Sequence, residues 1–222
     1  MFFTGDPELW EIILLSAKVS GIALIFSALM GVPLGAMLGL KRFKGRRLVQ
    51  ALIYTGMGLP PVVVGLAVYL LLSNNGILGP LNWTWVPELF TVPAMIIAQV
   101  IIATPMVIGY TMSAVAAVSP DLRLQLRSLG ATPVQITWQV LRESRFGLIV
   151  ALVGGFGSII SEVGAVMMVG GNIDGKTRVL TTAIMLETRQ GNWSMAIGLG
   201  MVLLILAFLI NYAVTHAQGR EN

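Results

Sequence analysis

Residues 119–145 read SPDLRLQLRSLGATPVQITWQVLRESR. This polar stretch lies between two apolar runs, each of which is long enough to cross a membrane. Ser119 is a candidate helix cap, with Pro120 at the first helical position and Asp121 near the positive end of the helix dipole. Gly130 supplies a stop signal. These signals predict a short helix on the surface of a membrane protein.

A second helix is predicted directly after that glycine, with Thr132 as its cap and Pro133 as its first residue. In the first helix, leucines 122, 126 and 129 share one face and arginines 123 and 127 share a neighbouring one. Two short helices joined by a glycine turn predict a compact knob that docks a partner. An amphipathic segment lying on the lipid surface is the alternative interpretation.

The composition of the chain excludes an ordinary soluble domain. Of its 222 residues, 56% are hydrophobic and only 11% are charged, and the mean hydropathy is +0.85. The absence of cysteine excludes disulfides and thiolate metal sites. The net charge of +4 comes from basic residues beside apolar runs, which favours a role in membrane topology over nucleic-acid binding. The sequence therefore predicts an integral membrane protein.

Five apolar segments have the roughly 20 residues that a spanning helix needs. They are Ile12–Leu40, Leu48–Ser73, Val92–Val118, Gly147–Val169 and Trp193–Val214. Glycine and proline in the first three predict kinked helices. We therefore expect an all-α, five-helix membrane domain that comprises residues 1–222.

The basic residues predict the orientation of this bundle. They cluster at positions 41–47 and 123–145, and such clusters mark cytoplasmic loops. Five spans then place the N-terminus and the loops Asn74–Thr91 and Gly170–Asn192 outside, with the tail from Thr215 inside. The charge pattern thus predicts the orientation of a multi-pass membrane protein.

Residues 124–143 resemble the cytoplasmic EAA loop of permease subunits in ABC importers. The match is closest in Arg127–Thr132, whereas Leu124–Leu126 replace the acidic and alanine residues that open the family's pattern, and Arg142 and Glu143 replace its closing Leu-Pro. In the family this loop, 119–146 here, forms a coupling helix that docks on the ATPase subunit. The resemblance implies that the coupling residues are Arg123, Arg127, Ser128, Leu129, Gly130, Ala131 and Thr132.

A second stretch, Ser161–Thr177, reads SEVGAVMMVGGNIDGKT and is similar to permeases for molybdate, tungstate and sulfate. Glu162–Ala165 and Gly171–Ile173 match most closely, and Met185–Trp193 looks more like the tungstate type. Residues 170–177 also satisfy GxxxxGK[ST], the phosphate-binding loop of nucleotide-binding proteins. We reject that interpretation, because a membrane span rather than a β-strand precedes this loop.

The resemblance implies a type I ABC importer permease fold and a homodimer. It also implies two ABC ATPase subunits, which would hold ATP and Mg, and a periplasmic or lipid-anchored oxyanion-binding protein. No cofactor is expected on this chain, and the implied location is the bacterial cytoplasmic (inner) membrane. The implied substrate is tungstate, with molybdate and sulfate as alternatives.

Glu162 is the one carboxylate well inside an apolar run, where a charge is costly. It could line the path, be protonated against Ser158 and Ser161, or make an interhelical structural or gating contact, which we favour. Neutral donors suit a passing oxyanion. The candidates for path or gate are Thr104, Ser158, Glu162, Thr181 and Thr182. For each hydroxyl, a bond to its own helix four residues earlier is the alternative role.

Three basic residues of the second outer loop, Lys176, Arg178 and Arg189, could attract a dianion or pair with a delivery protein. The single histidine, His216, and the lack of carboxylate pairs at useful spacing argue against an enzyme. A secondary anion transporter or channel would use a similar bundle, but repeated halves and more intramembrane ionisable groups would be expected. A scaffold would need no path.

Overall fold

The computed structural model describes residues 7–41, 43–81, 83 and 86–219. Within these residues the chain forms ten α-helices and one 3-10 helix, and it forms no strand. The helices are α1 (Pro7–Leu40), α2 (Arg46–Met57), α3 (Pro61–Leu72), α4 (Val92–Ala117), α5 (Pro120–Ser128), α6 (Pro133–Glu143), α7 (Arg145–Ile160), α8 (Gly164–Gly170), α9 (Leu180–Arg189) and α10 (Trp193–Gly219), with the 3-10 turn at Gly79–Leu81. The predicted all-α class is confirmed for the described residues.

Three helices, α1, α4 and α10, are each long and apolar enough to cross a membrane. Two bent pairs, α2 with α3 at 95° and α6 with α7 at 67°, bring the number to five if each pair is one span. The predicted span Leu48–Ser73 is therefore broken rather than continuous. The break follows from Pro60 and Pro61, because a residue before proline disfavours the helical conformation and Pro61 can begin a new helix.

The predicted span Gly147–Val169 also differs from the structure, which divides it into α7 and α8 at residues 161–163. The predicted outer loop Gly170–Asn192 contains a helix of ten residues, α9, that we did not predict. The predicted loop Asn74–Thr91 contains the 3-10 turn.

Helix α4 forms the centre of the bundle, and α1 packs closely along it. Gly31, Gly35 and Gly39 of α1 follow one another at four-residue intervals against α4. A Cβ atom on Gly35 would lie 2.7 Å from the Ile108 carbonyl oxygen and 2.7 Å from the Cβ of Thr111. Small residues at this spacing let two helix backbones approach closely, which is how helices associate in a membrane.

Candidate coupling surface and helix break

The knob formed by α5 and α6 is built by the predicted capping residues. The Ser119 hydroxyl accepts a hydrogen bond from the Asp121 backbone N–H at 3.2 Å. Thr132 and Gln135 form a reciprocal capping box, with distances of 2.8 and 3.4 Å. Gly130 joins the helices with a φ of +79°, a left-handed conformation that favours glycine. The predicted helix–turn–helix is confirmed.

The inner face of the knob packs against the ends of α1 and α4. Ile136 and Val140 of α6 are buried in a cluster with Ala36, Val115 and Val118, and partly buried leucines 122 and 126 of α5 pack against it. The Arg123 Nη2 atom donates a hydrogen bond of 2.9 Å to the Val115 carbonyl oxygen near the end of α4. The Arg123 side chain thus ties α5 to α4. Ala131 of the turn also packs inward.

The exposed, outer face of the knob carries large apolar side chains among polar residues such as Gln125, Arg127 and Gln135. Four large side chains are strongly exposed, Leu124 (59%), Leu129 (82%), Val134 (78%) and Trp138 (70%). Leu129 was expected on the face of Leu122 and Leu126, but α5 ends at Ser128 and Leu129 leaves the helical register. Sequence reasoning missed the other three, although Val134 and Trp138 lie one helical turn apart. Exposed apolar patches of this kind mark interaction sites.

The other predicted coupling residues shape the turn or remain exposed. The Ser128 hydroxyl donates to the Gln125 carbonyl oxygen at 2.8 Å, and the Thr132 hydroxyl belongs to the capping box. Arg127 is exposed at the end of α5. Of the predicted set, Arg127 and Leu129 therefore offer the large exposed side chains.

Three side chains form hydrogen bonds with backbone groups at the break between α7 and α8. The Gln99 Nε2 atom of α4 donates 3.1 Å to the Ile159 carbonyl oxygen. The Glu162 carboxylate accepts 2.9 Å from the Ala165 backbone N–H, and the Thr181 hydroxyl of α9 donates 2.9 Å to the Glu162 carbonyl oxygen. Irregular backbone at membrane depth requires such internal partners. Sequence reasoning missed Gln99, whose signal was an amide within an apolar run.

Glu162 is 8% exposed, and its carboxylate caps the first turn of α8 rather than standing free. This geometry joins two of the predicted path residues, Glu162 and Thr181, in one contact. Thr182 is buried and its hydroxyl bonds to the Val179 backbone at 3.0 Å. Ser158 is half-buried on α7, two residues before that helix ends.

Thr104 is engaged elsewhere. Its hydroxyl donates 2.6 Å to the Val100 carbonyl oxygen of its own helix and lies 3.4 Å from the Ser27 hydroxyl of α1. These hydrogen bonds therefore serve α4 and the α1–α4 contact, and the bond within α4 is the alternative role given above for such hydroxyls.

The three predicted cations of the loop Gly170–Asn192 differ in their surroundings. Arg178 Nη1 lies 3.3 Å from a Glu8 carboxylate oxygen and 3.1 Å from one of Asp174, so its charge is partly compensated. Lys176 and Arg189 are exposed. The hydroxyl of Thr177, the last residue of the rejected phosphate-loop pattern, donates to the Gly170 carbonyl oxygen and accepts from the Ile173 N–H. This residue thus closes a local turn that begins at the end of α8.

We expect the Glu162 carboxylate to act as a hydrogen-bond acceptor for α8 rather than as a required charge. Glu162→Gln keeps a side-chain oxygen and should unfold within about 0.5 kcal/mol of the parent chain. Glu162→Ala leaves the Ala165 N–H without its acceptor and should lose about 1–3 kcal/mol. Thermal unfolding in detergent measures the stability of both variants. Equal losses of stability in Glu162→Gln and Glu162→Ala would show that the charge itself is required.

Residues 31–220 match the family described as the inner membrane component of binding-protein-dependent transport systems. A probable anion ABC transporter permease of Haloferax volcanii is 42% identical, over 95% of this chain and 92% of that protein. The tungstate uptake permease TupB of Peptoclostridium acidaminophilum is 39% identical, over 96% of this chain and 91% of that protein.

Solved structures share the fold. The MetNI methionine ABC transporter in an inward-facing conformation gives a TM-score of 0.74 at 21% identity and covers 95% of this chain and 93% of that chain. A bacterial ABC transporter that imports alginate gives 0.76 at 23% identity and covers 97% and 80%. The resemblance found in the sequence is thereby confirmed for the family. The chain belongs to the inner membrane components of binding-protein-dependent transport systems, as a permease subunit of an ABC transporter rather than an enzyme.

Proposed function

We propose that this chain is the membrane-spanning permease of an ATP-driven tungstate importer. The support for the substrate is the 39% and 35% identity to two tungstate uptake permeases, against 32% to a sulfate permease and 28% to a molybdenum permease. The substrate-delivering partner is a periplasmic or lipid-anchored oxyanion-binding protein. Lys176 and Arg189 are the exposed cations for that outer contact.

The observation that carries the coupling mechanism is the set of exposed apolar side chains on the outer face of the knob, which includes Leu129 and Trp138. ABC ATPase subunits, which hold ATP and Mg, dock on this face. Because the opposite face packs on α1 and α4, movement of the ATPases is passed to the two helices with the closest contact in the bundle. A second copy of the chain completes the pathway, with the N-terminus outside and the C-terminus inside.

The path runs beside the broken helix, where Glu162 and Thr181 hold the α7–α8 junction together. Because the Glu162 carboxylate is committed to α8, its role is to hold or gate the break rather than to bind the oxyanion. Ser158, Thr182 and Thr104 are the neighbouring hydroxyl candidates for path lining. A hydroxyl donor suits an anion that must be released again, but Thr104 and Thr182 would first have to release the carbonyl oxygens of Val100 and Val179, to which they donate.

Uptake by sealed vesicles tests the proposal. The vesicles carry this chain with its ATPase and binding protein, tungstate is the substrate, and molybdate and sulfate compete. ATP-dependent tungstate uptake that excess sulfate does not suppress supports both the class and the substrate. Uptake without ATP would instead identify a secondary transporter or channel, and ATP-dependent uptake of molybdate or sulfate alone would identify another branch.

Gly130 should be required for coupled uptake. Gly130→Val places a β-branched residue at a φ of +79° and strains the turn by roughly 1–2 kcal/mol or more, so we expect uptake to fall several-fold while membrane insertion is retained. Gly130→Asn is the matched control, since asparagine tolerates this conformation. A Cβ atom at this residue meets nothing within 4 Å, so the difference reports the backbone. Equal uptake by both variants would argue against the turn's role in docking.

A further inference from the structure

A groove of about 560 Å³ runs between the knob and the end of α1. Its apolar wall comes from α1 and α6 and includes Val32, Pro33, Met37, Leu40, Ile136 and Leu141. The groove shares Ala36 and Ile136 with the inner face of the knob, and none of its lining residues is among the four exposed apolar side chains of the outer face. It is therefore a second candidate site on this side of the molecule.

The charge of the groove has one sign. Lys41, Arg123 and Arg127 line it, and none of the described lining residues is acidic. Within the part of the chain that the structure describes, the side chains of Lys41 and Arg127 have no hydrogen-bond or ion-pair partner. The Arg123 Nε atom is buried without a partner as well. Lys41 and Arg127 thus lie beside an apolar wall with no partner among the described residues, and the Arg123 guanidinium bonds only to the Val115 carbonyl oxygen and to no carboxylate.

The groove lies at a membrane boundary. α1 is a membrane-length helix that ends at Leu40, and Lys41 follows directly. Leu34 and Met37, on the last turns of α1, are 44% and 41% exposed, so the apolar wall continues onto a surface that faces hydrocarbon in a membrane. A ligand at this place can lay an apolar chain along α1 while its charged end meets the basic residues.

We propose that this groove binds an anionic phospholipid of the adjoining leaflet. The acyl chain lies against Pro33 and Met37, and the phosphate is held by Lys41 and Arg127, with Arg123 behind them. Charge and shape together favour this occupant. A soluble anion would leave the apolar wall uncovered, and a zwitterionic lipid would neutralise less of the positive charge. The proposal does not depend on the transported substrate.

Native mass spectrometry of the full-length chain in detergent, titrated with phosphatidylglycerol or phosphatidylcholine, tests this proposal. We expect phosphatidylglycerol to bind more tightly. Lys41→Gln and Arg127→Gln should each weaken phosphatidylglycerol binding about fivefold, the factor expected for one basic residue near an anionic headgroup. Arg47→Gln is the matched control, because Arg47 is exposed at the start of α2 and does not line the groove.

Three outcomes would overturn the proposal. One is equal affinity for the two lipids, and another is an equal loss in the Arg47→Gln control, which would indicate a diffuse charge effect. The third is displacement of the lipid by inorganic phosphate at equal concentration, which would identify a site for free anions. Because the assay contains no ATPase, binding protein or tungstate, its failure is distinguishable from failure of the transport proposal.

Discussion

Gly35→Ala should lower the stability of the bundle more than its single added methyl group suggests. The new Cβ atom would lie 2.7 Å from the backbone carbonyl oxygen of Ile108 and 2.7 Å from the Cβ of Thr111, distances that require α1 to move away from α4. Overpacking of this kind costs about 1–3 kcal/mol. Thermal unfolding in detergent should show a midpoint lower by roughly 4–8 °C for a loss of about 2 kcal/mol.

Gly21→Ala is the control for this prediction, because it lies in the same helix and a Cβ atom there meets nothing within 4 Å. Alanine favours a helix over glycine by up to about 1 kcal/mol, so this variant should be as stable as the parent or slightly more so. If both variants lose the same stability, the close packing of α1 on α4 does not hold the bundle together.

Trp138→Ala should produce the largest loss of ATPase binding. Trp138 is 70% exposed on the outer face of α6, and a tryptophan that becomes buried in an interface is often one of the residues that dominate its affinity. Truncation of such a residue costs about 2 kcal/mol or more, which is roughly a 30-fold rise in Kd. A binding titration of the reconstituted permease with its ATPase subunits measures this Kd.

Trp193→Ala is the matched control, since Trp193 is 63% exposed at the start of α10, far along the chain from the knob. Its removal should leave ATPase affinity within about twofold, which is less than 0.5 kcal/mol. An unchanged Kd for Trp138→Ala, or the same loss in both variants, would contradict the assignment of the docking face to α6.

Local signals in the sequence were sufficient to predict the knob. Capping by Ser119 and Thr132 and the left-handed turn at Gly130 depend on neighbours within three residues, and all three features are present. Leu129 was misplaced because the same stop signal that ends α5 also removes this residue from the helical face. To predict that Trp138 is exposed, one must know which face of α6 packs on α4. A single sequence does not contain that information.

The helix break was not predicted because its causes are distant in the chain. Apolar periodicity alone made residues 147–169 one span, whereas hydrogen bonds from Gln99 and Thr181 stabilise an interruption at Glu162. Arg123 illustrates the same difficulty, since its bond to the Val115 carbonyl oxygen depends on how α5 folds back. α9 was missed because its apolar stretch is too short for a span and lies between charged residues.

The hydrogen bonds of the α7–α8 junction impose an order on the making of this protein. Gln99 is synthesised before the junction, but Thr181 is added only after α8 is complete. As the chain leaves the ribosome, the Glu162 carbonyl oxygen therefore lacks its native hydrogen-bond donor until Thr181 of α9 has been translated. The native hydrogen bonding of the fourth apolar segment is therefore complete only after Thr181 of α9 has been translated.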